Sequence, residues 1–172
     1  MAVRPVLLYP HPFLKEKAPA APWDEHRVPA VFEDLRDTLM ASPGCVGLAA
    51  TQIHHAVRAL VVDVSASPRA GENHGLLQLF NPVVVEASQW KISREGCLSF
   101  PDLLANVKRA QKIRVQALNE KKEAVDFVSL GFEAVALQHE IDHLDGLLFL
   151  DRVRSSKDLL ERRKTPGGPA QV

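Results

Sequence analysis

The chain has 172 residues, 46% of them apolar and 24% charged, with 21 Lys plus Arg balanced by 21 Asp plus Glu. That length fits one domain with a sizeable core, and the charge balance excludes a general attraction to nucleic acid or to an anionic membrane. No early apolar run reaches the length of a signal-peptide core or a membrane span, so a cytoplasmic protein is expected, with Cys45 and Cys97 as free thiols.

Val6 to Tyr9 reads as a short strand stopped by Pro10 and Pro12, and the proline-rich run to Pro22 is expected to wrap over the core. Val31, Phe32, Leu35, Leu39 and Met40 then recur at helical intervals, with Glu33, Asp34, Arg36 and Asp37 on the other side. This predicts a helix from Val28 that ends at Ser42-Pro43-Gly44. Val46 to Gln52 packs Gly, Leu and Ala ahead of a single amide, as in a tight turn leading into buried strand. Ala59 to Val64 predicts another strand, and the Ser, Pro, Gly and Asn-rich stretch from Ser65 to Gly75 a mobile loop.

Leu76 to Phe80 and Val83 to Val85 are expected as strands broken at Asn81-Pro82, and Trp90 to Ser93 as a further short element. Within Val107 to Leu118, Ile113, Val115 and Ala117 alternate with Arg114 and Gln116, which marks a half-exposed strand. A turn at Asn119 to Lys122 leads to an antiparallel return over Ala124 to Leu130. Gly131 to His143 predicts a helix with Phe132, Val135, Ala136, Ile141 and Leu144 on its apolar side, closed near Asp145-Gly146. Beyond Leu150 the chain turns basic, with a short helix expected at Leu159-Leu160 and a frayed end at Thr165 to Pro169. The architecture is therefore α+β: one antiparallel sheet, or two small ones, wrapped around a central helix in residues 1–153, followed by a basic extension over 154–172.

The chemistry concentrates in Gln138-His139-Glu140-Ile141-Asp142-His143. On a helix His139 and His143 share a face, so two imidazoles can close on one divalent ion with Glu140 beside the first, placed to handle a proton of water. The plainer alternatives are a structural ion or an ordinary buried histidine pair, but a carboxylate next to two imidazoles on an apolar helix is costly without a compensating role. Two histidines do not fill a metal's shell. Cys97, flanked by Gly96 and lying in a break between strands, is the strongest candidate for a third ligand, against the alternative that it is a small buried hydrophobe. A thiolate with two imidazoles leaves one tetrahedral position open, as a catalytic site requires.

Taken together, Val46-Gly47-Leu48-Ala49-Ala50-Thr51-Gln52, Glu95-Gly96-Cys97-Leu98-Ser99 and Gln138-His139-Glu140-Ile141-Asp142-His143-Leu144-Asp145-Gly146 resemble, in order, the three signature motifs of the peptide deformylase family. With Tyr9-Pro10 and Asn81-Pro82 the resemblance covers about residues 5 to 153. It implies the family's fold around a metal-binding helix and removal of the formyl group from the N-terminal formylmethionine of nascent chains, releasing formate. It further implies one divalent ion held by Cys97, His139 and His143, with Fe2+ physiological and Zn2+, Ni2+ or Co2+ able to replace it. Glu140 would transfer protons, while the Gln52 amide and the Leu98 N–H would stabilise the oxyanion. Val46, Phe132 and Val135 are candidates for the methionine pocket, Cys45 and Gly47 for the wall along the peptide, and Glu95 for a supporting place near substrate. Asp142 is a candidate acceptor for the histidines' second nitrogens.

Formylmethionyl N-termini are then the partners, with a transient ribosome contact through the basic C-terminal segment and neither sequence-specific nucleic-acid binding nor membrane attachment. Oligomeric state is left open. Two departures stand out. Cys45 occupies a position where the family usually has Gly, and Phe100 to Asn106 lacks a basic residue that some members carry. The competing classes are another zinc peptidase, which would need a longer cleft for internal peptide bonds, and a noncatalytic module with a structural metal, which would not need Glu140 or Gln52.

Overall fold

The computed structural model describes residues 2–162. Helix α1 (Arg27–Met40) is followed by strands β1 (Gly47–Ala49) and β2 (Ala59–Val62), then by two long strands, β3 (Leu77–Cys97) and β4 (Phe100–Leu118). Strand β5 (Ala124–Leu130), helices α2 (Gly131–Leu144) and α3 (Phe149–Arg152), and strand β6 (Leu159–Glu161) complete the described chain. The six strands form one antiparallel sheet in the order β1-β2-β3-β4-β5, with β6 added to β4.

Helix α2 carries apolar residues on most of its circumference, and a helix of that kind is stable only when covered on most sides. The sheet supplies this cover. Ala134, Leu137, Ile141 and Leu144 pack with Leu60, Val62, Leu79, Ile113 and Val115 in the main core. Helix α1 closes a second core through Val31, Phe32, Leu35 and Leu39 against Leu48, Ile53, Val61 and Phe80. A third, smaller core joins Leu14, Cys97, Phe100, Val107, Leu148 and Phe149, so Cys97 is fixed by apolar packing as well as by its strand.

Several elements differ from the sequence expectation. Asn81-Pro82 does not break β3: Asn81 adopts φ 52° and the pairing slips between Phe80 and Val83, so the missing proline N–H is absorbed by a bulge in a continuous strand. Strand β4 starts at Phe100, not Val107, because β3 and β4 are joined by a two-residue turn, Leu98-Ser99, directly beside Cys97. Val6 to Tyr9 forms no ladder. Its backbone instead makes single bonds, from Leu7 N to Gln52 O (2.8 Å) and from Tyr9 N to Ser99 O (3.0 Å), which strap the first two motifs together.

The expected helix at Leu159-Leu160 is strand β6, paired with Leu103 to Ala105; these apolar residues cover the third core, which local helix propensity could not offer. The Ser65 to Gly75 loop is pinned at its far end, where His74 N and Nδ1 lie 2.7 and 2.8 Å from the carboxylate of buried Glu133 in the first turn of α2. The frayed end expected at Thr165 to Pro169 lies outside the described residues. Among the described residues no helix is long and apolar enough to cross a membrane.

Candidate metal centre

Cys97, at the end of β3, meets His139 and His143 from α2, with one donor atom of each lying within 4.8 Å of the others. All three side chains are buried, at 2%, 8% and 1% exposure, so a charge developing among them would be poorly screened. Cys97 Sγ stands 3.3 Å from His143 Nε2. In a tetrahedral shell, metal–sulfur and metal–nitrogen bonds of ~2.3 and ~2.0 Å place those atoms about 3.5 Å apart, so the donor set fits a divalent ion of that size. Burial, then the neighbouring His139, lowers the pKa of His143 well below the ordinary imidazole value, which keeps a ring lone pair available.

His139 Nδ1 faces Glu95 Oε2 at 2.7 Å, leaving Nε2 for the ion. Glu95 also accepts from Arg109 Nε (2.6 Å) and Nη2 (3.1 Å), and Arg109 Nη1 donates to Asp142 Oδ2 at 2.6 Å. Arg152, at the end of α3, closes the chain by donating to both oxygens of Asp142. Burial would raise the Glu95 carboxyl, but the hydrogen bonds from His139 and Arg109 hold it at about 2. Glu95 lines the cleft, but both its carboxylate oxygens are taken up by His139 and Arg109, so that it orients a donor of the cluster. The expectation for Asp142 is corrected: one residue before His143 it lies about 100° round the helix, where it meets two arginines and neither histidine. His143 Nδ1 is buried with no acceptor among the described residues.

Glu140 is buried against β1, and burial raises its carboxyl pKa to about 7. Its position depends on Gly47, because a Cβ there would stand 2.6 Å from Glu140 Oε1. Gln52, in the 3-10 turn after β1, is oriented from both ends of its amide. Its Oε1 accepts from Ala49 N (3.0 Å), while Nε2 points at Cys97 Sγ (3.6 Å) and Ser99 Oγ (3.2 Å). Thr51 Oγ1 donates to His143 O at 3.1 Å, which ties this turn to α2.

A cleft open to solvent on one side joins these groups; Cys45, Val46, Gly47, Leu98, Phe132 and Val135 all line it. Cys45 donates its S–H to Gly47 O at 3.0 Å, and burial, reinforced by the nearby Glu140 charge, pushes its thiol up to about 12. It is a protonated wall residue outside the three-donor cluster. Of the residues expected at the site, all but His143 and Asp142 line this cleft; His143 joins it through Cys97, whose Sγ is 3.3 Å from its Nε2. Sequence reasoning missed Arg109, although the alternation Ala105, Val107, Arg109, Ile113, Val115 places it on the inward face of β4.

Three buried soft and imidazole donors on rigid elements, with a carboxylate and an amide directed at the same small space, define a metal-dependent hydrolase. The polypeptide deformylase family model matches residues 3–159. A peptide deformylase from Heliobacterium modesticaldum is 42% identical over 157 residues, covering 90% of this chain and 97% of that protein, and one from Syntrophobacter fumaroxidans is 37% identical over 165 residues, covering 95% and 94%. The solved peptide deformylase from Thermotoga maritima superposes with a TM-score of 0.80 at 29% identity, covering 90% of this chain and all of that one. The class I type b enzyme from Acinetobacter baumannii with Met-Ala-Ser bound gives 0.81 at 30% identity, covering 88% and 99%. The chain belongs to the polypeptide deformylase family.

Proposed function

We propose that this deformylase hydrolyses the formyl group from formylmethionyl N-termini of nascent chains in the cytoplasm, with ferrous iron as its ion in the cell. The observation that carries the activity is the convergence of Glu140 and the Gln52 amide on the buried Cys97, His139 and His143 cluster, since neither group is needed merely to hold an ion. A divalent ion held by those three residues would supply Lewis acidity toward water and the formyl group.

The protein's own groups do the rest. Glu140 takes a proton from the attacking water and returns it to the leaving amine, so water and the formamide become formate and a free N-terminus. As the formyl carbon becomes tetrahedral, negative charge grows on its oxygen, and the Gln52 Nε2–H and Leu98 N–H donate to it from fixed positions. The Oε1 bond from Ala49 N holds the Gln52 amide in its donating orientation. Phe132, Val135 and Val46 offer an apolar wall for methionine, and the solved relative carrying Met-Ala-Ser supports a tripeptide of this kind as ligand. Glu95 and Arg109 keep His139 in one tautomer and one direction.

Iron is supported by the mixed thiolate and imidazole donors, which suit Fe2+ and Zn2+ alike, together with the resemblance to a family that uses iron. A transient ribosome contact through the basic C-terminal segment fits a substrate that emerges during synthesis. The test is formate release from formyl-Met-Ala-Ser by anaerobically prepared, metal-analysed protein, with acetyl-Met-Ala-Ser and unblocked Met-Ala-Ser as controls. Selective hydrolysis of the formylated peptide is expected, and cleavage of internal peptide bonds instead would overturn the assignment.

A further inference from the structure

Past the metal centre the cleft continues as a groove lined by Arg69, Ile92, Arg94, Gly96, Leu104 and Asn106, and the two spaces share Arg69, Arg94, Glu95 and Gly96. Its charge is one-sided. Arg69 lies with its guanidinium 4.0 Å above the Phe132 ring and donates from Nη1 to Arg94 O at 3.2 Å. Among the described residues the Arg94 side chain donates only to Asn106 Oδ1, at 3.5 Å. Neither meets a carboxylate among the described residues. The acid that lines the groove, Glu95, is committed to His139 and Arg109.

A third guanidinium arrives from the C-terminal strand. The pairing of β6 with Leu103 to Ala105, extended by the bond from Arg162 N to Asp102 O (2.9 Å), brings Arg162 back over the second motif. There its Nη2 occupies the space that any side chain at residue 96 would need, beside Leu104. Arg162 Nε and Nη2 are buried without an acceptor among the described residues. Arg69 and Arg94 line the groove and can donate charge-assisted hydrogen bonds to an anion there, while Arg162 does not line it and acts through its charge from against Gly96.

We propose that Arg69, Arg94 and Arg162 form an anion-binding subsite that favours formylated chains carrying Asp or Glu at the second or third residue. The proposal rests on the deformylase reading and adds its substrate preference. With methionine in the apolar end by Phe132 and Val135, the groove by Gly96 is the way out for the chain that follows. An extended peptide advances ~3.3 Å per residue and alternates its side chains, so only one of those two positions turns its carboxylate to the arginines. The preference is electrostatic, and it appears in KM and weakens with salt.

The experiment compares kcat/KM of the metal-loaded enzyme for formyl-Met-Glu-Ser, formyl-Met-Ser-Glu and their lysine counterparts, with formyl-Met-Ala-Ser alongside, at roughly 10 and 200 mM salt. At one position Glu is expected to exceed Lys by roughly tenfold at low salt, through KM, with a smaller ratio at high salt. In the Arg69→Gln/Arg94→Gln/Arg162→Gln triple variant the ratio should fall to about one, and Arg162→Gln alone should lower it partway; a ratio is insensitive to general loss of active protein. Equal values for Glu and Lys at both positions, or a preference that survives the triple variant, would overturn the subsite while turnover of formyl-Met-Ala-Ser leaves the deformylase reading standing. If no formylated peptide is hydrolysed, that reading falls by itself. Calorimetric binding of Met-Glu-Ser, Met-Ser-Glu and their lysine counterparts then decides the subsite, which is lost if neither acidic peptide binds more tightly.

Discussion

Replacing Gly47 by Ala is a small change with a large consequence for Glu140. The added Cβ would stand 2.6 Å from Oε1, 2.9 Å from Cγ and 3.0 Å from Cδ of Glu140, whereas ordinary contacts begin at 3.4 Å. The carboxylate must therefore retreat by about 0.8 Å, or β1 must move away from α2. Glu140 is 5% exposed, so its side chain has little free space to absorb that shift. A displacement of ~1 Å at a reacting group costs on the order of 10²-fold, and kcat of Gly47→Ala is expected to fall by roughly 10- to 100-fold. Overpacking should also lower stability by about 1–3 kcal/mol. Metal content should not change, because Cys97, His139 and His143 lie outside the overlap. Steady-state formate release, metal analysis and denaturant unfolding of the same preparation separate these effects. Wild-type kcat in a folded, fully metallated Gly47→Ala protein would refute the view that Gly47 sets the position of Glu140.

Glu95→Gln should weaken retention of the ion against a chelator by about 10- to 100-fold, since His139 loses its charged acceptor. The same carboxyl, held at about 2 from an ordinary 4.5, contributes about 3 kcal/mol of stability at neutral pH. Because its folded pKa is depressed, that contribution is present above about pH 4.5 and is lost as pH falls towards 2, so acid unfolding of metal-free wild type should show a pH dependence there that Glu95→Gln lacks. Cys45, with its thiol pushed up to about 12, should react with iodoacetamide at pH 8 far more slowly than a free cysteine peptide, and Cys45→Gly should alter KM more than kcat at unchanged metal stoichiometry. Ferrous enzyme should lose activity in air faster than under nitrogen, with nickel or cobalt enzyme preserved; equal decay would argue against an oxidisable centre.

The helix of residues Gly131–Leu144 and the donor trio were legible because each rests on a local signal: a helical apolar pattern, an i,i+4 histidine pair, and a cysteine beside glycine. Glu95 was read only as a neighbour of substrate, although it lies two residues before Cys97 on the same strand and shares its face. Arg109 was passed over, since its role depends on two carboxylates, one from β3 and one from α2, that local sequence does not bring near. The lengths of β3 and β4 were obscured for a similar reason. Both strands run through bulges and exposed stretches whose pairing is with each other, so Asn81-Pro82 looked like an interruption. Strand β6 is three residues long and gains its structure entirely from β4, a non-local pairing that a Leu-Leu pair does not announce.

In the proposed mechanism Cys97, His139 and His143 hold the ion while Glu140 moves the proton. Glu140→Gln separates the two roles, because the amide preserves shape and removes only the base. The purified variant should retain one divalent ion per chain, counted by elemental analysis, while formate release from formyl-Met-Ala-Ser falls by roughly 10² to 10⁴. Loss of the ion along with activity would make Glu140 part of the metal site, and a near-normal rate with the ion in place would remove it from the chemistry.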